Sequence, residues 1–288
     1  MREHIQRRVK FVERLCRPNT VQWCDGSQEE EAQLIEKLER ENKFIKLSSP
    51  ERSYLHRSNP DDVSRTEDVT FICTEKPEDA GPTNNYMEPL AAAEKVRHVL
   101  KDAMHGRTMY VVPAIMGPLN SPYARIGFEI TDSAYVALSI HRLYRVQSPD
   151  RLQNYQGEPF IGIHSLGTLS PAKRMIAHLP EENLVLSVNS GFGGNSILFK
   201  KCFSLRLASW QARRDMWLAE HMAVFGVQDP AGRITYFAAA LPSGCGKTNL
   251  SMLANAVLPG YNVWTVSDDL CWMHIGDDGR LWAINPEA

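Results

Sequence analysis

The segment Leu241-Pro-Ser-Gly-Cys-Gly-Lys-Thr248 has the make-up of a phosphate-binding loop. A triphosphate needs backbone N–H groups turned inward, a helix N-terminus, a cation on the outer phosphates and a hydroxyl on Mg²⁺. Gly244 and Gly246 let the backbone wrap, Lys247 supplies the charge, and Thr248 supplies the metal ligand. The general pattern opens with glycine, where this chain has Leu241. A chance strand-to-helix turn containing Gly-Lys-Thr is the bland alternative. Residues 234–241 read as a buried strand and 248–256 as a helix, so the flanking elements favour the phosphate site. A further strand at 263–266 ends at Asp268 and Asp269, whose carboxylates suit a divalent metal directly or through water. Alone, such a pair is a solvated turn; its place after the loop-bearing unit favours the metal.

Two other segments carry weaker signals. Ser190-Gly-Phe-Gly-Gly-Asn-Ser196 lets backbone approach a small anion, and Lys200 and Lys201 follow to neutralise it. Taken alone, it is as readily a flexible turn followed by surface lysines. His221 lies in the apolar stretch Trp217-Leu-Ala-Glu-His-Met222, read here as a helix, where a packed histidine is the plainer reading.

These residues need a scaffold. Ile5, Val9, Val12 and Leu15 recur at helical spacing, predicting an amphipathic helix over 3–16. Ser27 and Glu30 form a capping box opening a second helix to about residue 41. Residues 48–66 and 75–89 read as loops, 91–104 and 133–145 as helices. Strands are expected at 69–73, 108–115, 125–131 and 183–188. Helices and strands mix without regular alternation, so the fold class is mixed α/β. A first domain is expected over 1–212 and a phosphate-loop nucleotide domain over 213–288.

Composition bounds the rest. Hydrophobic residues make 43% of the 288, enough for a sizeable core and against a disordered chain. A net charge of −2 gives no reason to expect nucleic-acid or membrane adhesion. Six cysteines without a CxxC pair point to reduced cytosolic thiols rather than a disulfide framework. No stretch of 18 apolar residues spans a membrane, and the basic first helix is neither Ser-rich nor free of acids, unlike a transit peptide.

Read together, the motifs resemble GTP-dependent phosphoenolpyruvate carboxykinase. The resemblance runs from Cys24-Asp-Gly-Ser27 through Gly106-Arg-Thr-Met-Tyr110, Met116-Gly-Pro118, Ile130-Thr-Asp-Ser133 and Ile176-Ala-His-Leu-Pro180. It continues through Gly193-Gly-Asn-Ser196, Lys200-Lys-Cys-Phe203, Trp217-Leu-Ala-Glu-His221 and Ser243-Gly-Cys-Gly-Lys-Thr-Asn249 to Ala283-Ile-Asn-Pro-Glu287. The family's loop also departs from the general pattern at its first position, which accounts for Leu241.

The resemblance implies conversion of oxaloacetate and GTP to phosphoenolpyruvate, GDP and CO₂. It implies an active-site Mn²⁺ held by Lys201, His221 and Asp269, with Lys201 neutral as a ligand must be. A second ion, Mg²⁺ or Mn²⁺, rides on GTP at Thr248 with Asp268 nearby. Arg65, Phe192, Gly193, Gly194 and Ser243 match substrate-contacting positions. Gly244, Cys245, Gly246, Lys247, Thr248 and Asn249 match the nucleotide loop. Lys200 is expected to stabilise the enolate oxygen, and Cys245, at a helix N-terminus beside Lys247, to be a reactive thiol. A cytoplasmic monomer is expected, with no nucleic-acid or membrane partner.

Four positions depart from the family. Phe192 replaces Tyr, Asn120 and Ser267 replace Gly, and Phe199 replaces Gly beside Lys200, where a ring could crowd the site. The family also continues well beyond Glu287, into further substrate residues, the guanine pocket and a lid. The expectation is therefore a truncated enzyme, inactive alone. The alternative is a short, catalytically dead paralogue serving as a metal- or phosphate-binding or interaction module. A general phosphate-loop ATPase fits the loop and leaves the match over 24–221 unexplained.

Overall fold

In the computed structural model the described residues are 2–62, 66–152, 158–191, 198–241, 245–246, 249–250 and 259–288. They form two compact units: Met1–Ile115 with Arg125–Phe203, and Met116–Ala124 with Ser204–Ala288. No helix among them is long and apolar enough to cross a membrane.

The first unit is built on strands β1 (Thr20–Trp23), β2 (Phe44–Lys46), β3 (Tyr54–His56), β4 (Thr70–Ile72), β5 (Asn85–Tyr86), β6 (Thr108–Met116), β7 (Arg125–Thr131), β8 (Arg145–Val146), β9 (Phe160–Ser165), β10 (Met175–Leu179) and β11 (Leu184–Val188). All but β2 and β3 join one sheet in the order β1-β6-β7-β9-β11-β10-β4-β5, with β8 on β6. β7, β9 and β11 run parallel, whereas β10 returns antiparallel to β11. The central strands are buried on both faces, so their sequences are apolar runs rather than alternations.

Helix α1 (Arg2–Cys16) puts Ile5, Val9 and Val12 into a core shared with Ala92, Val96 and Leu100 of α3 (Pro89–Leu100) and the sheet. Helix α2 (Gln28–Arg40) starts at Ser27, whose hydroxyl accepts from Glu30 N at 3.1 Å. The capping box is not reciprocal, because Glu30 reaches back past Ser27 to the amides of Asp25 and Gly26. Helix α4 (Ala134–Leu143) is capped by Ser133. The supposed loop at 48–66 contains β3, which pairs with β2 as Phe44 stacks on Tyr54 at 5.2 Å.

A π-helix, Phe199–Leu207, runs into α5 (Ala208–Asp215). The second unit then adds β12 (Leu218–Glu220), β13 (Met222–Gln228), β14 (Ile234–Ala240), β15 (Asn262–Ser267), β16 (Cys271–Ile275) and β17 (Leu281–Ile284). They form two three-stranded sheets, β12-β16-β17 and β14-β13-β15. Two expectations fail here. Residues 217–222 are extended, not helical: Trp217 and Ala219 are buried while Leu218 and Glu220 face out, the period of a strand. The strand before the phosphate loop forms as expected, but among the described residues it is exposed, with Tyr236 62% and Phe237 46% accessible, and it ends its sheet.

Candidate active site

The second unit brings three chain ends to one edge of a small sheet. β13 lies between β14 and β15 and is antiparallel to both. Met222, at the start of β13, faces Ala240 at the end of β14, and Val224 faces Ser267 at the end of β15. The residue before β13 is His221, the loop after β14 is the phosphate loop, and the residues after β15 are Asp268 and Asp269. A bulge between Val224 and Phe225 accommodates an extra residue in β15 and so sets where that strand ends.

His221 Nε2 accordingly lies 2.5 Å from Asp269 Oδ1, across 48 residues of sequence. Both side chains are partly buried, at 27% and 18% exposure, so the pair meets solvent on one side. Ser267 is buried, and its hydroxyl donates to the Leu270 carbonyl, closing the bend that carries the two aspartates. The serine in place of the family glycine thus has a local structural task. An imidazole nitrogen and a carboxylate oxygen converging in this way fit a divalent transition ion.

Within the phosphate loop, Cys245 is exposed and Gly246 has φ +95°, a conformation that disfavours any side chain. The Leu250 amide donates to the Gly246 carbonyl at 2.9 Å and Asn249 is exposed, while the rest of the helix expected over 248–256 lies outside the described residues. Ser243, Gly244, Lys247 and Thr248 lie outside the described residues, as do Arg65, Phe192, Gly193 and Gly194.

Lys200 and Lys201 belong to the first unit, on the π-helix. The wider turn is a form that recurs at functional sites. Gly127 of β7 and Gly162 of β9 let the helix approach the sheet: a Cβ at Gly127 would stand 2.7 Å from the Phe199 ring, and one at Gly162 2.7 Å from Leu198. Phe199 is fully buried against Tyr144 and Phe203. Its ring fills core, which removes the expectation that it crowds the site. Asn120 adopts φ +61°, where asparagine is the best tolerated replacement for glycine.

The structure also shows groups that sequence reasoning left without a role. Asp62 accepts from Gly191 N at 2.9 Å and faces Arg174, whose guanidinium donates to the carbonyls of Asn189 and Asp61. Asp62 therefore ties the stretch before Arg65 to the start of the glycine segment, two regions 129 residues apart. Behind it, buried His164 has Nε2 2.5 Å from the Ser190 carbonyl and Nδ1 2.7 Å from Thr131 Oγ1. Burial lowers its pKa, and these contacts suit a neutral ring donating from Nε2. Asp132 receives Arg107, Ser165 and the Leu166 amide, which gives the Gly106-Arg and Thr-Asp-Ser motifs a scaffold function. An acid three residues before Arg65 was the available signal for Asp62, and it is weak.

Comparison with known proteins identifies the family of this chain. The profile of the phosphoenolpyruvate carboxykinase N-terminal domain matches residues 8–213, and that of the phosphoenolpyruvate carboxykinase C-terminal P-loop domain matches 217–288. Phosphoenolpyruvate carboxykinase [GTP] of Anaeromyxobacter dehalogenans (strain 2CP-C) is 46% identical over 99% of this chain and 48% of its own length. The proteins of that name from Corynebacterium jeikeium (strain K411) and Neocallimastix frontalis are 43% and 45% identical, over 95% and 97% of this chain and 47% and 48% of theirs. The chain thus spans about half the length of the curated relatives it matches. Since both domain profiles fall in order along the chain and the identity extends across nearly all of it, this chain belongs to the phosphoenolpyruvate carboxykinase family.

Proposed function

We propose that this chain carries the catalytic core of a GTP-dependent phosphoenolpyruvate carboxykinase, acting on oxaloacetate and GTP to give phosphoenolpyruvate, GDP and CO₂. The observation that carries the reading is the His221–Asp269 pair beside the start of the phosphate loop, in a chain 46% identical to an enzyme of that name. His221 and Asp269 hold the active-site ion, Mn²⁺ in this reading, with Lys201 as third ligand. Thr248 and Asp268 serve the ion that accompanies GTP, Mg²⁺ or Mn²⁺. A cation held there would supply positive charge where the enolate and the transferred phosphoryl group develop negative charge.

The chain's own groups do the rest. Arg65 grips the substrate carboxylate with a planar fork, and Phe192, Gly193, Gly194 and Ser243 shape the ground around it. Lys200 places an ammonium beside the enolate oxygen left by decarboxylation. Gly244, Gly246 and the loop amides, with Lys247, Cys245 and Asn249, hold the triphosphate for in-line attack. In this reading 1–212 form the substrate domain and 213–288 the nucleotide domain, while 116–124 and 204–212 fall in the second compact unit. A cytoplasmic location accords with the free cysteines among the described residues.

Mn²⁺ titration followed by electron paramagnetic resonance tests the metal site. His221→Ala should weaken binding about tenfold or more, since even an outer-shell partner is worth about that much; equal affinity would remove His221 from the ligand set. In the enzyme carrying this sequence, oxaloacetate-dependent GDP formation should fall far more with Arg65→Ala than GTP binding does. A loss confined to nucleotide affinity would contradict the carboxylate role.

A further inference from the structure

The first unit holds a cluster that this reaction does not use. Cys24 follows β1 and is fixed by its amide, which donates to the Val111 carbonyl at 2.9 Å. Glu30 stands in the first turn of α2, with Oε2 accepting from the Asp25 and Gly26 amides at 3.0 and 3.1 Å. His141 lies in the last turn of α4. Three separate elements thus deliver a thiol, a carboxylate and an imidazole whose ligand atoms all lie within 4.8 Å of one another.

We propose that Cys24, Glu30 and His141 form a metal site for a zinc-class divalent ion. Cys24 is fully buried, and the side chains of Glu30 and His141 are 7% and 4% exposed, so all three are withdrawn from water. His141 Nε2 comes within 2.9 Å of Glu30 Oε2, yet this buried nitrogen makes no hydrogen bond of acceptable direction. The two atoms sit side by side rather than head-on, as neighbouring ligands of one ion do. Ligand atoms on a tetrahedral Zn²⁺ are about 3–4 Å apart, given bonds of about 2.0–2.3 Å. The cluster therefore needs to close by only a small movement, and water completes the shell.

The donor set fixes the class of ion. A thiolate with an imidazole favours Zn²⁺ over Mg²⁺ or Mn²⁺, which prefer oxygen. The Asp25 and Gly26 amides orient the carboxylate as outer-shell donors usually do, and Gln22 Nε2 adds a longer contact to Oε1 at 3.4 Å. Gly26 keeps φ +80°, with the Val146 carbonyl 2.3 Å from where a Cβ would stand, so the Cys-Asp-Gly turn has one tight solution. Binding exchanges the Cys24 S–H proton for the ion: an S–metal bond forms, the S–H bond breaks, and the proton passes to solvent. Nothing is oxidised or reduced.

Co²⁺ titration of the purified, chelator-treated protein tests the site, since cobalt–thiolate charge transfer absorbs in the near ultraviolet and reports cysteine ligation. The wild type should develop that band at one equivalent, and added Zn²⁺ should abolish it. His221→Ala and Cys245→Ser should keep it, which separates this site from the carboxykinase residues. Cys24→Ser should lose the band, and His141→Gln should weaken Co²⁺ binding about tenfold or more. No band in the wild type, or an unchanged band in Cys24→Ser, overturns the proposal and leaves a metal-free buried ion pair. Should Cys24→Ser fail to fold, the wild-type spectrum and the His141→Gln affinity still decide.

Discussion

Glu129 shows what a single buried carboxyl group does to this protein. It lies on β7, fully enclosed, with only a weak approach from the Leu198 amide and no well-formed hydrogen bond to either carboxylate oxygen among the described residues. Burial pushes its carboxyl well above the ordinary 4.5, against a smaller opposing pull from the Leu198 amide. The folded state therefore holds a proton that the unfolded state releases. The resulting stability is complete below about pH 4.5 and is lost as pH rises toward the folded-state value. Glu129→Gln removes that loss, so thermal melts at about pH 7.5 should move up, by about 2–4 °C for each kcal/mol recovered. At about pH 4 the two proteins should melt together. A pH-independent difference would mean that Glu129 is charged in the fold. Its position in an apolar strand was readable from sequence; its isolation was not, because that depends on what β9 and the π-helix place above it.

At the scale of elements, the helix that carries Lys200 and Lys201 is seated by glycines in the sheet. Gly127→Ala would drive a methyl group into Phe199, whose ring is held by Tyr144 and Phe203. Overpacking of this kind costs about 1–3 kcal/mol, and urea unfolding should show a loss of that size. Restoration by the further change Phe199→Leu would confirm the contact; no recovery would place the strain elsewhere. Elements with one apolar stripe and a cap were legible: α1 from Ile5, Val9 and Val12, and α2 from Ser27. The buried strands β9, β10 and β16 were not, since short apolar runs carry no period that distinguishes strand from helix. The same ambiguity produced the helix wrongly expected around His221. In the candidate site, the loop residues were legible because their spacing is local, whereas the metal pair rests on a strand register joining residues 221 and 269. Asp269 was readable from its place after the loop-bearing unit, whereas resemblance supplied His221 and the pairing of the two.

At the scale of the whole molecule, the second unit is assembled from two separated stretches, Met116–Ala124 and Ser204–Ala288. The short stretch is integral to it. The Gly117 amide donates to the Pro286 carbonyl at 2.8 Å, Gly117 packs by Trp272 and Ile284, and Tyr123 stacks on His274 at 4.1 Å. A fragment beginning at Ser204 lacks all three contacts. It should show weaker near-ultraviolet circular dichroism from Trp272 than the whole chain, and adding a peptide of residues 116–124 should recover part of the signal. An unchanged spectrum without the peptide would show that the stretch is dispensable. The discontinuity also limits how such genes can recombine. A single crossover placed just before codon 204 between two diverged relatives would pair one parent's 116–124 with the other's 204–288. Viable chimaeras should therefore keep both stretches from the same parent, inheriting as one block two pieces that the gene holds some 80 codons apart.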